Sequence, residues 1–445
     1  MPKDDDDEQQ FVKELAEDDR MGHAYWGARL ATGEEQLRYS GKKWYAWNGT
    51  YWEVSDGDAM KAAHRMMVEA LANREQIPNP TDGFLKSVVS QAAPYLAFDP
   101  ARWDAARHLI NLKSGIYNFK RCKHVEHHPG ANMTKAAPGG YYPNDEFRDW
   151  EAFLDGMPTM RDVETRRYVQ KLFGLALNGE HHREIFPILH GPGNTGRSRL
   201  VDALHTAAGE YAHSGASTLL KKLPNERHTA EVFALKDKRV VPVHELDRQV
   251  RYDSGKLKML TGGDRVNARG MYQNDGDFLP THTFLLLTNN YPWLPSGDSA
   301  LERRVRVIPF EALETVDEGY SELVRTPEFA DAVITWAIRG WELYVEDGLD
   351  EPGAVLDATK KMWRSTNYVA RFIDEACDRV TRLVDASTTR ELFLAFEDWK
   401  REQGITQHVG ERDFGRELDR LDHPTQGNRR ARVGLRAPDP TCEND

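Results

Sequence analysis

Phe186 to Leu204 reads FPILHGPGNTGRSRLVDAL, a short apolar run, a glycine-rich turn and a helical pattern set end to end. Phe186, Ile188 and Leu189 suit a strand covered on both faces, and Leu200, Val201 and Leu204 return at helical spacing. Gly191, Gly193 and Gly196 carry no Cβ, so the backbone between them can curl with its N–H groups inward, and the opening helix adds the positive end of its dipole. The spacing is that of a phosphate-binding loop in an α/β fold. Gly191, Pro192, Gly193, Asn194, Thr195, Gly196, Arg197 and Ser198 are therefore the candidate ATP-binding residues, with the Ser198 hydroxyl placed for Mg²⁺. One position departs: Arg197 stands where the pattern has lysine, keeping the charge on a longer, planar group. Taken alone, the stretch also fits a glycine-rich turn that holds no nucleotide.

The downstream sequence favours the nucleotide. Arg239-Val-Val-Pro-Val-His-Glu-Leu-Asp247 is an apolar strand ending in carboxylates. Glu245 is the candidate for polarising the attacking water and, with Ser198, for holding the metal; Asp247 is second to it. Phe284-Leu-Leu-Leu-Thr-Asn-Asn290 is a further strand, whose end presents the uncharged amide of Asn289 to a lytic water or a terminal phosphate. Between the two, Met271 to Phe278 reads as a hairpin with a tight Asn-Asp-Gly turn. Arg303 and Arg304 then precede the apolar run Val305 to Phe310. Adjacent arginines repel unless an anion or acid sits between them, so either one reaches a neighbour's phosphate or both form a salt-bridged surface pair.

The totals bound the rest. A chain of 445 residues is too long for one core and suggests about three domains. Cys122, Cys377 and Cys442 are scattered and odd in number, so a reducing, cytoplasmic setting without disulfides is expected. No apolar run approaches the roughly 18 to 20 residues of a membrane span, and the acidic start MPKDDDDEQQ is no signal peptide. The net charge of −12 argues against blanket affinity for nucleic acid but leaves room for a locally basic groove.

Upstream of the loop, Lys43-Trp-Tyr-Ala-Trp-Asn-Gly-Thr-Tyr-Trp-Glu53 alternates aromatic and polar residues around an Asn-Gly turn, a hairpin signature. Met60–Asn73 and Phe84–Leu96 come next with helical spacing. Cys122, His124, His127 and His128 lie close together, but the spacing matches no closed zinc pattern and a solvated polar hairpin explains them. At the other end, residues 400–436 hold nine Lys/Arg against six Asp/Glu, with helical faces at Leu392, Phe396 and Trp399 and at Phe414 and Leu418, then a basic strand from Arg429.

Taken in order, GPGNTGRS, VVPVHELD, LKMLTGGDRVNAR, FLLLTNNYP and ALERRVRVIPF resemble the motifs of superfamily 3 helicases. The chain looks most like the helicase part of the poxvirus, phage and plasmid primase-helicases, without the primase domain, and no primer synthesis is expected. The resemblance implies an AAA+ P-loop ATPase with a parallel sheet at 151–355. A disordered acidic tail at 1–20 and an N-terminal α+β domain at 21–150 would precede it; a winged-helix-like domain at 356–436 and a tail at 437–445 would come after. It implies a homo-oligomeric ring, usually a hexamer, that hydrolyses ATP between subunits and moves on single-stranded DNA at a fork, with any primase or initiator supplied by another chain. Carried over, Arg303 or Arg304 would be the finger given to the adjacent subunit. The pre-sensor hairpin has no lysine at its tip, Gln273 to Gly276, so Arg265, Arg269, Tyr272 and His282 are the candidate DNA contacts, joined by Arg412, Arg416 and Arg429. Two other readings stay open: an initiator or clamping ring with little hydrolysis because of Arg197, and a motor acting on protein.

Overall fold

The computed structural model describes residues 22–33, 36–75, 77–180, 183–221, 229–245, 252–269, 275–292, 294, 298–315, 319–405, 408–428 and 430–438. The expected tail at 1–20, and most of that at 437–445, lies outside them.

Strands β1 (Leu37–Ser40), β2 (Lys43–Trp47) and β3 (Trp52–Val54) form an antiparallel meander. The second turn is the expected one, with Asn48 Oδ1 accepting from the amides of Thr50 and Tyr51 at 2.9 Å. Helices His23–Gly33, Asp56–Ala72 and Asp82–Ala92 cover the meander. Ser55 and Thr81 cap the latter two by accepting from Asp58 N and Phe84 N. Ala59, Ala63, Met67 and Ala70 turn one helical face to a core shared with Trp26, Leu37, Trp44, Leu85 and Val88. The Arg38 guanidinium lies 4.3 Å from the Trp52 ring centroid and 4.2 Å from that of Phe98, so the aromatic stretch packs around a cation of its own.

The next sheet, β4 (Leu109–Leu112), β5 (Gly115–Asn118) and β6 (Lys123–Val125), belongs to a different core. Ile110, Tyr117 and Phe119 pack with Trp150, Phe173, Leu204 and Trp341 from helices Arg148–Asp155, Val163–Leu177, Arg197–Ala208 and Pro327–Asp347. Phe119 O accepts from Trp341 Nε1 at 2.9 Å, and Tyr117 Oη donates to Glu342 at 2.8 Å. The apolar cores therefore part near residue 100, inside the span 21–150 that the resemblance implies as one domain. Burying each such large side chain contributes about 2 kcal/mol.

The central sheet runs β12 (Val305–Pro309), β7 (Phe186–His190), β11 (Thr283–Thr288), β8 (Val240–Glu245), all parallel. Residues 212–215 lie beside β8 as a further parallel rail, with His213 N donating to Val240 O and Gly215 N to Pro242 O. Alternation sorts the strand residues to two faces: Leu189, Leu285, Leu287 and Ile308 join the core of Trp150 and Trp341, while Ile188, Leu286, Val243 and Val307 join a second. That is why these strands read as continuous apolar runs. Helices Ser254–Thr261 and Gly353–Thr366 cover the second face, and Thr359 Oγ1 accepts from Val307 N at 2.9 Å.

Strands β9 (Val266–Arg269) and β10 (Asp275–Phe278) form the hairpin before β11. The tight turn expected at Asn274-Asp275-Gly276 is not there: Asp275 and Gly276 pair with Arg269 and Ala268 within the ladder.

The C-terminal module packs helices Tyr368–Glu375, Thr389–Glu402 and Glu411–Arg420 around Phe372, Leu392, Phe396, Trp399, Phe414 and Leu418. Thr388 and Glu391 make a capping box. Short strands β13 (Asp378–Arg379), β14 (Thr425–Gln426), β15 (Ala431–Arg432) and β16 (Leu435–Arg436) pair 13 with 16 and 14 with 15. Arg432 points inward, donating to Thr389 Oγ1 at 2.8 Å and to the carbonyls of Gly415 and His423 at 3.0 Å. Among the described residues no helix is long and apolar enough to cross a membrane.

Candidate functional site

The glycine loop leaves β7 at its carboxyl end. A Cβ on Gly191 would lie 2.2 Å from Phe310 O on the neighbouring β12 exit, so only glycine fits there. Asn194 at φ +57° and Gly196 at φ +78° take the left-handed conformation that curls the chain back, and Leu313 N pins the bend by donating to Asn194 O at 2.7 Å. Gly196 then opens the helix Arg197–Ala208 without a side-chain cap. Thr195 is buried, whereas Gly193 and Ser198 are exposed to a cleft of about 330 Å³. That cleft is also lined by Arg197, Arg199, His244, Asn289 and Leu313. Loop amides at a helix start, facing open space, fit a phosphate chain.

Arg197 does not point into solvent. It is buried, and its guanidinium donates to Gly191 O at 2.5 Å and to Asn289 Oδ1. Burial holds its pKa below the usual guanidinium value. Asn289 comes just after the end of β11, where Thr288 Oγ1 folds the chain by accepting from Asn290 N at 3.1 Å. The loop, Arg197 and Asn289 thus meet at one edge of the sheet. Glu245 closes β8 in register with Thr288, so its backbone ends at the same edge; its side chain, and Asp247, lie outside the described residues. Beneath the loop the His190 ring stacks on Tyr291 with centroids 4.0 Å apart. Burial, and then the nearby Arg197 charge, push the His190 pKa down.

Arg303 and Arg304 occupy the opposite edge. Both pair with the same oxygen of Glu184, at 2.7 and 2.8 Å, and Arg303 donates a hydrogen bond to it. Arg304 is buried and also donates to Ala300 O at 2.7 Å; the Arg303 side chain is 64% exposed. Val305 pairs with Phe186 and Pro309 with His190, so the arginine pair sits a full strand length, about 13 Å or more, from the chain's own glycine loop.

The candidate DNA contacts do not converge on one place. Arg265 is exposed and pairs with Asp277 across the hairpin at 2.9 Å. Arg412 and Arg416 are exposed on the helix Glu411–Arg420, Arg416 pairing with Asp413 at 3.3 Å. His282 is 1% exposed against the Phe284 ring, a core position closed to any strand of DNA in this structure. Tyr272, Arg429 and the Arg269 side chain lie outside the described residues. Among those described, no group of three or more His, Cys, Asp or Glu is placed to hold a metal; His127 Nδ1 instead meets Asn111 Oδ1 at 3.1 Å.

Sequence reasoning missed Glu184, His190, Tyr291 and Leu313. The carboxylate between two arginines was the one with a signal, since such a pair demands an acid, but its partner is 119 residues away.

Residues 22–157 match a family described as D5 N terminal like, and residues 189–304 match a family described as of unknown function. The second match takes in the loop, Asn289 and the arginine pair. Over 354 residues the chain is 24% identical to "Putative helicase L207/L206" of Acanthamoeba polyphaga mimivirus, covering 73% of this chain and 36% of that protein. It is 27% identical over 215 residues to "Putative helicase 121R" of Invertebrate iridescent virus 3, covering 46% and 23%. The chain therefore spans about a third or less of the length of these curated relatives. A solved structure of the apo NrS-1 C terminal region aligns at TM-score 0.48 and 12% identity, over 90% of this chain and 85% of that one.

Proposed function

We propose that the chain is an ATP-driven DNA helicase of a virus or other mobile element, working as a ring of identical subunits on single-stranded DNA. The observation that carries this reading is the division of the sheet: phosphate loop and Asn289 at one edge, arginine pair at the other. In such a ring, one subunit's loop edge meets the next subunit's arginine edge, and neither site is complete alone. ATP bound with Mg²⁺ supplies the reactive phosphoanhydride; water oxygen bonds to the terminal phosphorus as the bridging P–O bond breaks, leaving ADP and phosphate. The amides of residues 191–198 orient the phosphates, Ser198 and Glu245 hold the metal, and Glu245 and Asn289 position the water. The exposed Arg265, Arg412 and Arg416 give DNA its backbone contacts, with Arg269, Tyr272 and Arg429 as further contacts. The names of the viral relatives favour the helicase reading. The test is phosphate release by the purified chain with and without single-stranded DNA, alongside particle mass with ATP and Mg²⁺. A monomer whose turnover ignores DNA refutes the proposal.

One observation favours a second reading, an assembling clamp or initiator with little turnover: Arg197 is already bonded to Gly191 O and Asn289. An Arg197→Lys chain that gains DNA-stimulated turnover absent from the parent would select it.

A further inference from the structure

The arginine edge carries a device of its own. A single oxygen of Glu184 faces both guanidiniums, so two cations share one carboxylate. The two arginines are held very differently. Arg304 is locked, with its side chain 6% exposed, its Nη1 on Ala300 O and its backbone carbonyl accepting from Phe186 N at 2.7 Å. Arg303 leans out into solvent from the end of helix Ser299–Glu302. That helix end is tethered, because Glu302 pairs with Arg420 of the C-terminal module at 3.1 Å. Glu184, finally, lies two residues before β7, the strand that leads into the phosphate loop.

Resting on the ATPase reading above, we propose that Glu184 is a positioning latch. It stores Arg303 while the lone chain has no neighbour and yields it to the terminal phosphate held by a second copy of the chain, while Arg304 stays behind as the fixed anchor. A carboxylate and a phosphoryl group both offer a guanidinium anionic oxygens, so phosphate competes directly with the carboxylate for Arg303. Arg304 keeps Glu184 in place during the exchange, and the acid remains paired throughout. The ligand of this edge is thus a nucleotide phosphoryl group presented by another subunit.

The full chain with ATP and Mg²⁺ serves as the test. Arg303→Ala is expected to bind ATP like the parent in equilibrium titration, while its turnover falls by about 10³-fold or more, the scale of a lost trans arginine. Mixing it with Ser198→Ala, which keeps the arginine but lacks the metal-holding hydroxyl, is expected to restore turnover that neither has alone. Glu184→Gln, which leaves Arg304 an acceptor but weakens the hold on Arg303, is expected to reach half-maximal turnover per chain at a lower protein concentration. Glu184→Asp, a conservative change for folding, is expected to stay near the parent. Parental turnover in Arg303→Ala, or no recovery on mixing, overturns the arginine assignment. A Glu184→Gln chain with the parent's melting temperature and concentration dependence overturns the latch; should that variant not fold, the same curve for Glu184→Asp decides, a shift to higher protein concentration being the overturning result. A parent that binds no ATP at all defeats the underlying ATPase reading instead, which keeps the two failures apart.

Discussion

The two edges of the parallel sheet handle positive charge in opposite ways. At the carboxyl edge the buried Arg197 is bonded to neutral atoms, a carbonyl and an amide oxygen, and no carboxylate is among the partners seen. At the amino edge Arg303 and Arg304 share one ionised acid. A cation held by neutral acceptors keeps its charge for an incoming anion; a cation held by a carboxylate must be competed away. The proposed function uses the first edge to receive phosphate and the second to deliver a charge.

The harshest way to break this contrast is to remove the shared acid. Glu184→Ala leaves the buried Arg304 without its ionic partner and is expected to lower unfolding free energy by about 2–3 kcal/mol, read by urea denaturation. At the other edge, Gly191→Ala drives a methyl into Phe310 O and is expected to cost about 2 kcal/mol together with nucleotide binding. Gly193→Ala meets nothing within 4 Å and should stay within about 0.5 kcal/mol of the parent in the same assay. Arg197→Lys sharpens the comparison: a compact ammonium cannot span Gly191 O and Asn289 together, so ATP affinity should rise on the order of tenfold in titration.

The smallest effect is on pH. His190, His205 and His213 around the sheet have pKa values held below the ordinary imidazole value, first by burial and then by nearby cations, Arg197 for His190 and Lys238 for the others, while Asp202 partly offsets the effect at His205. The unfolded chain then binds more protons, so stability is complete above the ordinary value and declines as pH falls from it toward the depressed ones. Melting temperature should drop gently between about pH 7.5 and 5.5, and His190→Gln should flatten part of the slope.

How much of this was legible depended on range. The strand, loop and helix at 186–204 were readable because glycine spacing and apolar period are local properties, and the strands ending near Glu245 and Asn289 for the same reason. Burial was not readable. Adjacent Arg303 and Arg304 look alike in sequence, yet Arg304 is buried with its guanidinium on Ala300 O while Arg303 pairs with Glu184 from a side chain 64% exposed. Arg432, read as part of a basic strand, is consumed by carbonyls inside its own module, and His282 is taken up by the core. The Asp-Gly pair at 275–276 lost to its ladder partners, since register across a hairpin outweighs a two-residue turn preference. The rail at 212–215 has no apolar run to announce it and rests on backbone bonds to β8.

The sheet β4–β6 has a bearing on how this molecule can be dissected. Because Tyr117 and Phe119 seal the side of the parallel-sheet body under Trp341, an excised fragment beginning at residue 151 would carry an open aromatic wound and tend to clump. One beginning near residue 105 would keep that wall shut, and proteases should find their first stable fragment there rather than at residue 151.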